Sequence, residues 1–369
     1  MGYEMKDRSL KNFVKLSHIK GIGFRFLKEF YERYGSFDGN IDANLEEFLN
    51  EKFNREKVEE VLSLWRSKVW FDRIWRFLKI HKVEVIPFFD SRFPNEVLSL
   101  GITTPALYVM GQLSVDGFSI VGTRRASAEG RLKARKFAEV VAAKGLAVIS
   151  GGAEGIDRSA HEGALAVGGK TGVILGEGLY HFIRRNKDFA ERVLKNGGFI
   201  LSQFNLLTQG ARWTFPQRNG LIAYFGFYGT LVVEAPQKSG ALITADYALK
   251  LKRPLFTYLN CVQSVSFRGN LSLVKDCKAR LITEEEELLK LLEERVSTVP
   301  LSGGESVSAP RKEKHGKDTL EEVLKEKPRT FDELLGLTKL SEDKLLERLT
   351  FLELEGKVVQ DGGFYRWVG

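Results

Sequence analysis

Apolar residues recur at three- and four-residue spacing through 10–16, 24–34, 45–53 and 55–78, which predicts a helical region over residues 9–80. The pattern then changes. Short apolar runs at 83–87, within PALYVMG, and at 118–121, 146–149, 171–175, 199–202, 230–233, 255–258 and 279–282 have the length of buried strands. Amphipathic stretches separate them: one ending near Lys144, one starting at Asp157 as its N-cap, then 186–195, 221–227 and 241–250, with a charged helix over 284–294 closing the run. Residues 176–187 are expected to begin as a loop, and a long loop reaching FPQRN is expected between 202 and 221. Strand–helix alternation of this extent predicts an α/β domain with a doubly wound, mostly parallel sheet, because parallel neighbours need crossover connections. The pattern lapses at STVPLSGGESVSAPRKEKHGK, a flexible linker by composition. Helical spacing resumes at 319–324, 331–337 and 344–354, the last capped by Ser341. Two short apolar runs around Asp361-Gly362-Gly363 then predict a hairpin. Three helices and a hairpin predict a winged helix. The domains are therefore expected at 1–82 (all-α, of helix-hairpin-helix or SAM-like type), 83–296 (α/β), 297–317 (linker) and 318–369 (winged helix).

Charge changes this picture. The net formal charge of +8 is divided as +4 over 1–82, +10 over 83–283, −4 over 284–296 and −2 over 297–369. The α/β domain therefore carries the positive field, which points to a polyanionic partner. The third helix of the winged-helix region carries Glu342, Asp343, Glu347, Glu353 and Glu355 against Lys344 and Arg348, so protein contact is expected there rather than DNA. No apolar run approaches the roughly 18 residues of a membrane span, and no secretory leader is visible. Cys261 and Cys277, the only cysteines, are too few for a zinc site or a disulfide framework, and cytoplasmic residence is the default expectation.

The chemistry concentrates on turns after strands. Gly122-Thr123-Arg124-Arg125 follows the third run and Ser150-Gly151-Gly152-Ala153-Glu154-Gly155 the fourth, each opening a helix. Neither matches a dinucleotide fingerprint or a Walker loop, so neither a nucleotide cofactor nor a metal is expected. The cationic and small residues Arg124, Arg125, Ser127, Gly151, Gly152, Arg218, Asn219, Lys238, Ser239 and Gly240 fall on one rim of the sheet, where several phosphates could be held. Thr244 joins that rim, while Ser127, Asp157 and Ser239 also fit plain helix caps. His161 reads as a packing residue. Glu234, the one obvious acid, is expected to pair with an arginine, and no catalytic residue is assigned. Further upstream, Gly21-Ile22-Gly23 between two helices fits either a phosphate-binding hairpin turn or a tight interhelical joint.

At VGTRRAS, ISGGAEGIDRSAHEGAL, FPQRNGLIA and LVVEAPQKSGALITADYAL, in this order, the chain resembles the DNA-processing protein A family (DprA/Smf). The resemblance covers about 85–292. It implies an extended Rossmann-like core that binds and protects single-stranded DNA, dimerises, and helps load the RecA recombinase, notably in natural transformation and competence. It places the DNA pocket on Arg124, Gly151, Gly152, Arg218, Asn219, Lys238, Ser239 and Gly240. Some positions depart from the family pattern. Gly220 stands where relatives carry a second arginine, and the 176–187 stretch lacks the usual Asp and Pro, with Arg184, Arg185 and Lys187 as substitutes for lost cations. The alternative is a Rossmann-type nucleoside-monophosphate phosphoribohydrolase, for which Gly229-Thr230 and a displaced Glu234 remain but the Gly-Gly nest does not.

Overall fold

All nine apolar runs of the α/β region are strands in the computed structural model: β1 Glu84–Pro87, β2 Ala106–Gly111, β3 Gly117–Val121, β4 Ala147–Ser150, β5 Thr171–Leu175, β6 Phe199–Ser202, β7 Thr230–Val232, β8 Leu255–Tyr258 and β9 Arg280–Ile282. The structure describes residues 2–298 and, beyond them, 320–338, 340–342, 345, 348, 349, 352, 357–361 and 364–368. It divides into two units, Met1–Ser308 and Ala309–Gly369.

In the first unit the strands form one sheet of order β1-β2-β6-β5-β4-β3-β7-β8-β9. β2 is antiparallel to β1 and β6, and every other pair is parallel. Five helices precede the sheet: α1 Gly2–Ser17, α2 Phe24–Tyr34, α3 Ile41–Lys52, α4 Arg55–Arg66 and α5 Val69–Ile80. Among the strands come α6 Glu96–Ser99, α7 Ala128–Ala143, α8 Ile156–Ala166, α9 Leu179–Arg185, α10 Lys187–Lys195, α11 Thr214–Phe225, α12 Gly240–Lys250 and α13 Arg268–Lys275. α14, Glu285–Thr298, follows β9 and runs two residues into the segment expected to be linker. α7, α8 and α14 pack on one face through Phe137, Val141, Ile156, Ala160 and Leu288. α11 and α12 cover the other through Leu221, Ile222, Ala241 and Ala245. Both layers are needed because the central parallel strands are apolar on both sides.

The helical region is continuous with this core. Phe13, Phe26, Phe30 and Phe48 belong to the same buried cluster as Tyr108, Phe182 and Ile200. The Gly21–Gly23 turn is an interhelical joint: Ile19 and Ile22 are buried beside it, and the Lys57 ammonium donates to the Lys20 carbonyl at 3.0 Å. At the end of α1, the Asn205 amide donates to the Ser17 carbonyl at 2.5 Å, and the Leu206 N–H donates to His18 Nε2 at 3.2 Å.

Three local expectations need correction. FPQRN, expected on a long loop, lies inside α11: Pro216 occupies its first turn, where a missing N–H costs nothing. Residues 179–185, expected as loop, form α9. Asp157 is not the cap of α8, since Gly155 holds that position and Asp157 sits buried in the first turn.

Two histidines, His161 buried and His18 half-buried, make the fold sensitive to acid. His161 Nδ1 donates to Thr171 Oγ1 at 2.7 Å, the threonine hydroxyl itself donates to the Val148 carbonyl at 2.6 Å, and Nε2 is left without a partner. Burial, reinforced by Arg158 and Arg218, holds this ring down to about 3, and burial holds His18 down to about 4. Both rings stay neutral in the folded chain but take up protons near the ordinary 6.5 when unfolded. Stability is therefore full above 6.5 and is lost as pH falls toward 4, by up to ~1.4 kcal/mol per pH unit for each ring. Urea midpoints from pH 7 to 4.5 should show this slope, and His161→Gln should flatten it. Equal slopes in both proteins would refute the assignment.

In the second unit, α15 Leu320–Glu326 and α16 Phe331–Thr338 accompany a sheet of order β10-β12-β11, with β10 Arg329–Thr330, β11 Val358–Asp361 and β12 Phe364–Trp367. Leu320, Leu324, Leu334, Leu345, Leu349 and Tyr365 form its core. Most of the expected third helix, the hairpin turn and the linker beyond Thr298 lie outside the described residues.

Candidate functional site

Strand order reverses at β3. Chain progress through β4, β5 and β6 runs to one side of it, and through β7, β8 and β9 to the other. Loops leaving β3 and β7 therefore diverge and open a crevice beyond the carboxyl ends of the strands.

The loops at this crevice are bound to one another. The Thr123 N–H donates to the Glu234 carbonyl at 2.7 Å, and the Ile156 N–H to the Thr123 carbonyl at 3.3 Å. Gly155, at φ +87°, lies so close beneath the β3 loop that a Cβ would fall 2.4 Å from the Thr123 carbonyl oxygen; no side chain fits there. Glu234 is buried, and its carboxylate accepts from the Ser127 N–H and hydroxyl at 2.9 and 2.8 Å. The expected arginine partner is thus replaced by the start of α7, whose exposed N–H groups and positive dipole end suit a carboxylate. Ser127 Oγ in turn accepts from the Gly130 N–H at 2.9 Å, capping the helix.

A cavity of about 380 Å³ opens above these loops, lined by Arg124, Arg125, Phe215, Arg218, Asn219 and Lys238 among others. Arg218 forms its floor and is only 3 % exposed. Its Nη1 donates to the Gly151 carbonyl at 2.7 Å and to the Ile174 carbonyl, and its Nε donates to Asn219 Oδ1 at 3.2 Å. The Asn219 amide donates onward to the Gly240 carbonyl at 3.0 Å. Burial lowers the Arg218 pKa to about 10 against the pull of Asp157, so the guanidinium remains charged at neutral pH. Burial also raises Asp157, opposed mainly by Arg218. Gly151 keeps both groups in place, since a Cβ there would lie 2.6 Å from Arg218 Nη1 and from Asp157 Oδ2. Phe215 bridges floor and rim: the Arg124 guanidinium is centred 4.7 Å from its ring and that of Arg218 5.9 Å.

The rim gathers cations that no neighbouring carboxylate among the described residues neutralises. Arg92, Lys133 and Arg192 are tied to carboxylates, as are many cations elsewhere. Arg124, Arg125 and Lys238 are exposed and, among the described residues, have no carboxylate partner. Exposed cations without partners, clustered at a concave site, attract anions.

Of the ten residues expected at the site, Arg124, Arg125, Arg218, Asn219, Lys238, Ser239 and Gly240 line the cavity. Ser127 caps α7 and Ser239 caps α12, its Oγ accepting from the Ala241 N–H at 3.3 Å. Gly151 and Gly152 are in the loop after β4, and Thr244 completes the lining from α12. Of the substitutes at 176–187, Arg185 pairs with Glu177, and Lys187 is 3.9 Å from Glu191. Arg184 alone of the three has no carboxylate partner among the described residues. Phe215 was missed in the sequence, although its place in FPQRN, three residues before a cation, was the available signal. Among the described residues the one carboxylate cluster with metal-like spacing is Glu284, Glu285 and Glu286 at the start of α14, where Lys133 binds the first two.

Residues 84–293 match the family described as DNA recombination-mediator protein A. The chain belongs to this family. It is 29 % identical to the protein Smf of Synechocystis sp., over 94 % of this chain and 96 % of that one. It is 33 % identical to the protein Smf of Escherichia coli, over 69 % and 68 % of the two chains. The fold resembles that of DNA processing protein A from Streptococcus pneumoniae, with a TM-score of 0.57 and 22 % identity, covering 75 % of this chain and 95 % of that one. The family match spans β1 to α14 and so contains the whole crevice. No helix among the described residues is long and apolar enough to cross a membrane.

Proposed function

We propose that this chain is a recombination mediator that binds single-stranded DNA in the crevice between β3 and β7, protects the strand and helps to load the RecA recombinase. The observation that carries the reading is the set of exposed cations without carboxylate partners, Arg124, Arg125 and Lys238, around a charged arginine floor. Loops and side-chain cations hold a phosphate backbone without reading base sequence. The contacts expected at this crevice are Arg124, Arg125, Asn219, Lys238, Ser239 and Gly240, with Arg218 acting from below and Ser127, Gly151 and Gly152 shaping the loops. Family membership supports the role in recombination, and the resemblance supports a cytoplasmic homodimer acting in natural transformation. The helical region 1–82 and a winged helix at 318–369 are accessory domains in this reading. The phosphoribohydrolase alternative is disfavoured because Glu234, the acid it would need, is 1 % exposed and committed to Ser127.

The test is a titration of fluorescent oligothymidine and of matching duplex over a salt series. The single strand is expected to bind more tightly. Its log–log salt slope should be near −2 or steeper, at about −0.7 for each phosphate neutralised by three or more cations. Equal or tighter duplex binding would sink the proposal.

A further inference from the structure

We infer that Trp213 is a stacking platform for an unpaired base of the strand whose phosphates occupy the Arg124–Lys238 cavity. The inference rests on the single-strand reading and extends it from phosphate to base. Among the described side chains of residues 8–294, Trp213 is the one Phe, Tyr or Trp that is exposed, at 58 %. The other rings of that unit are buried or half-buried, as is usual for groups with so much apolar area.

The indole is held in place. It packs edge-on against Phe204, centroids 5.9 Å apart and planes at 83°. Its backbone leads into α11, where Thr214 Oγ1 accepts from the Ala211 N–H and lies 2.9 Å from the Ala211 carbonyl. The preceding loop is fastened to the start of α9: the Gly178 N–H donates to the Thr208 carbonyl at 2.8 Å, and the Tyr180 N–H to the Leu206 carbonyl at 3.2 Å. Leu207, 52 % exposed on the same loop, adds apolar surface. A fixed ring with an exposed surface is prepared for a planar ligand, because little rotamer entropy remains to be lost.

Position and charge identify that ligand. Phe204 follows β6, and β6 is three strands from β3 along the same rim, a separation of roughly 14 Å at ~4.8 Å per strand. That is the reach of four stacked nucleotides or fewer extended ones, at ~3.4 Å each. Arg212, exposed and without a carboxylate partner among the described residues, adjoins the ring in sequence, and Phe215 two residues on reaches the cavity. Cations on both sides of an exposed aromatic match an alternation of phosphate and base. Any base offers a π-face, so the contact carries little sequence preference. A duplex hides those faces within its own stack.

The full-length protein, Trp213→Ala, Trp213→Leu and Trp213→Phe are titrated with fluorescent oligothymidine and with an abasic oligomer of equal length. Trp213→Leu keeps an apolar cover over Phe204 but has no stacking face. Both the alanine and leucine variants are expected to lose about tenfold or more on oligothymidine, whereas Trp213→Phe retains most of the affinity. Salt slopes should stay unchanged, since no phosphate contact is removed, and all four proteins should bind the abasic oligomer alike. Undiminished oligothymidine binding by Trp213→Leu, or an equal loss on the abasic oligomer, overturns this inference alone. Failure of the unaltered protein to bind either oligomer overturns the single-strand reading and this inference with it.

Discussion

Arg218→Ala is expected to destabilise the first unit by about 3 kcal/mol or more and to abolish strand binding with it. The guanidinium is buried, and two buried carbonyls, those of Gly151 and Ile174, receive its hydrogen bonds. Alanine leaves both without that donor, at about 1–3 kcal/mol each when water cannot replace it. It also removes the cation that opposes the effect of burial on Asp157. The Asp157 pKa, already raised, then rises further. Relative to the unaltered protein the loss should be greater at neutral pH, where a buried carboxylate must stay charged, than in mild acid, where it can protonate. Arg218→Lys keeps the charge but lacks the planar guanidinium and its Nε donor to Asn219 Oδ1, and should fall between parent and alanine variant. Urea midpoints of the three proteins at pH 7 and pH 5 decide the matter. An Arg218→Ala protein as stable as its parent would show the floor to be dispensable.

The second large effect concerns the rim. Arg124→Ala combined with Lys238→Ala should reduce affinity for oligothymidine at least about tenfold near physiological salt, and should make the log–log salt slope shallower by about 1.4, two phosphates at ~0.7 each. Stability should change by no more than about 0.5 kcal/mol, because both side chains are exposed and neither is tied to a carboxylate. The contrast with Arg218→Ala is the point of the experiment: one arginine holds the crevice together, the others face its ligand. Affinity lost with an unchanged slope would mean that the two residues shape the site instead of neutralising phosphate.

The apolar pattern determined the helical first region, the nine strands and the rim of the sheet on which the small and cationic residues gather. Those features are local: a strand and an amphipathic helix differ in the period at which apolar residues recur, and a turn shows in its glycines. What each polar residue does on that rim was decided only by tertiary structure. Ser127 and Glu234 are 107 residues apart and meet because β7 inserts beside β3, a neighbour relation that no local pattern encodes. The same pairing turned Glu234 from a candidate acid into the anchor of α7. FPQRN contains a proline and polar residues and reads as a loop, yet it packs as the first turns of α11, which takes Arg218 below the surface. The roles of Arg218 and Arg124 also separated only in three dimensions. Both are arginines on post-strand segments, and burial, the one property that distinguishes them, depends on which elements the fold brings over each side chain.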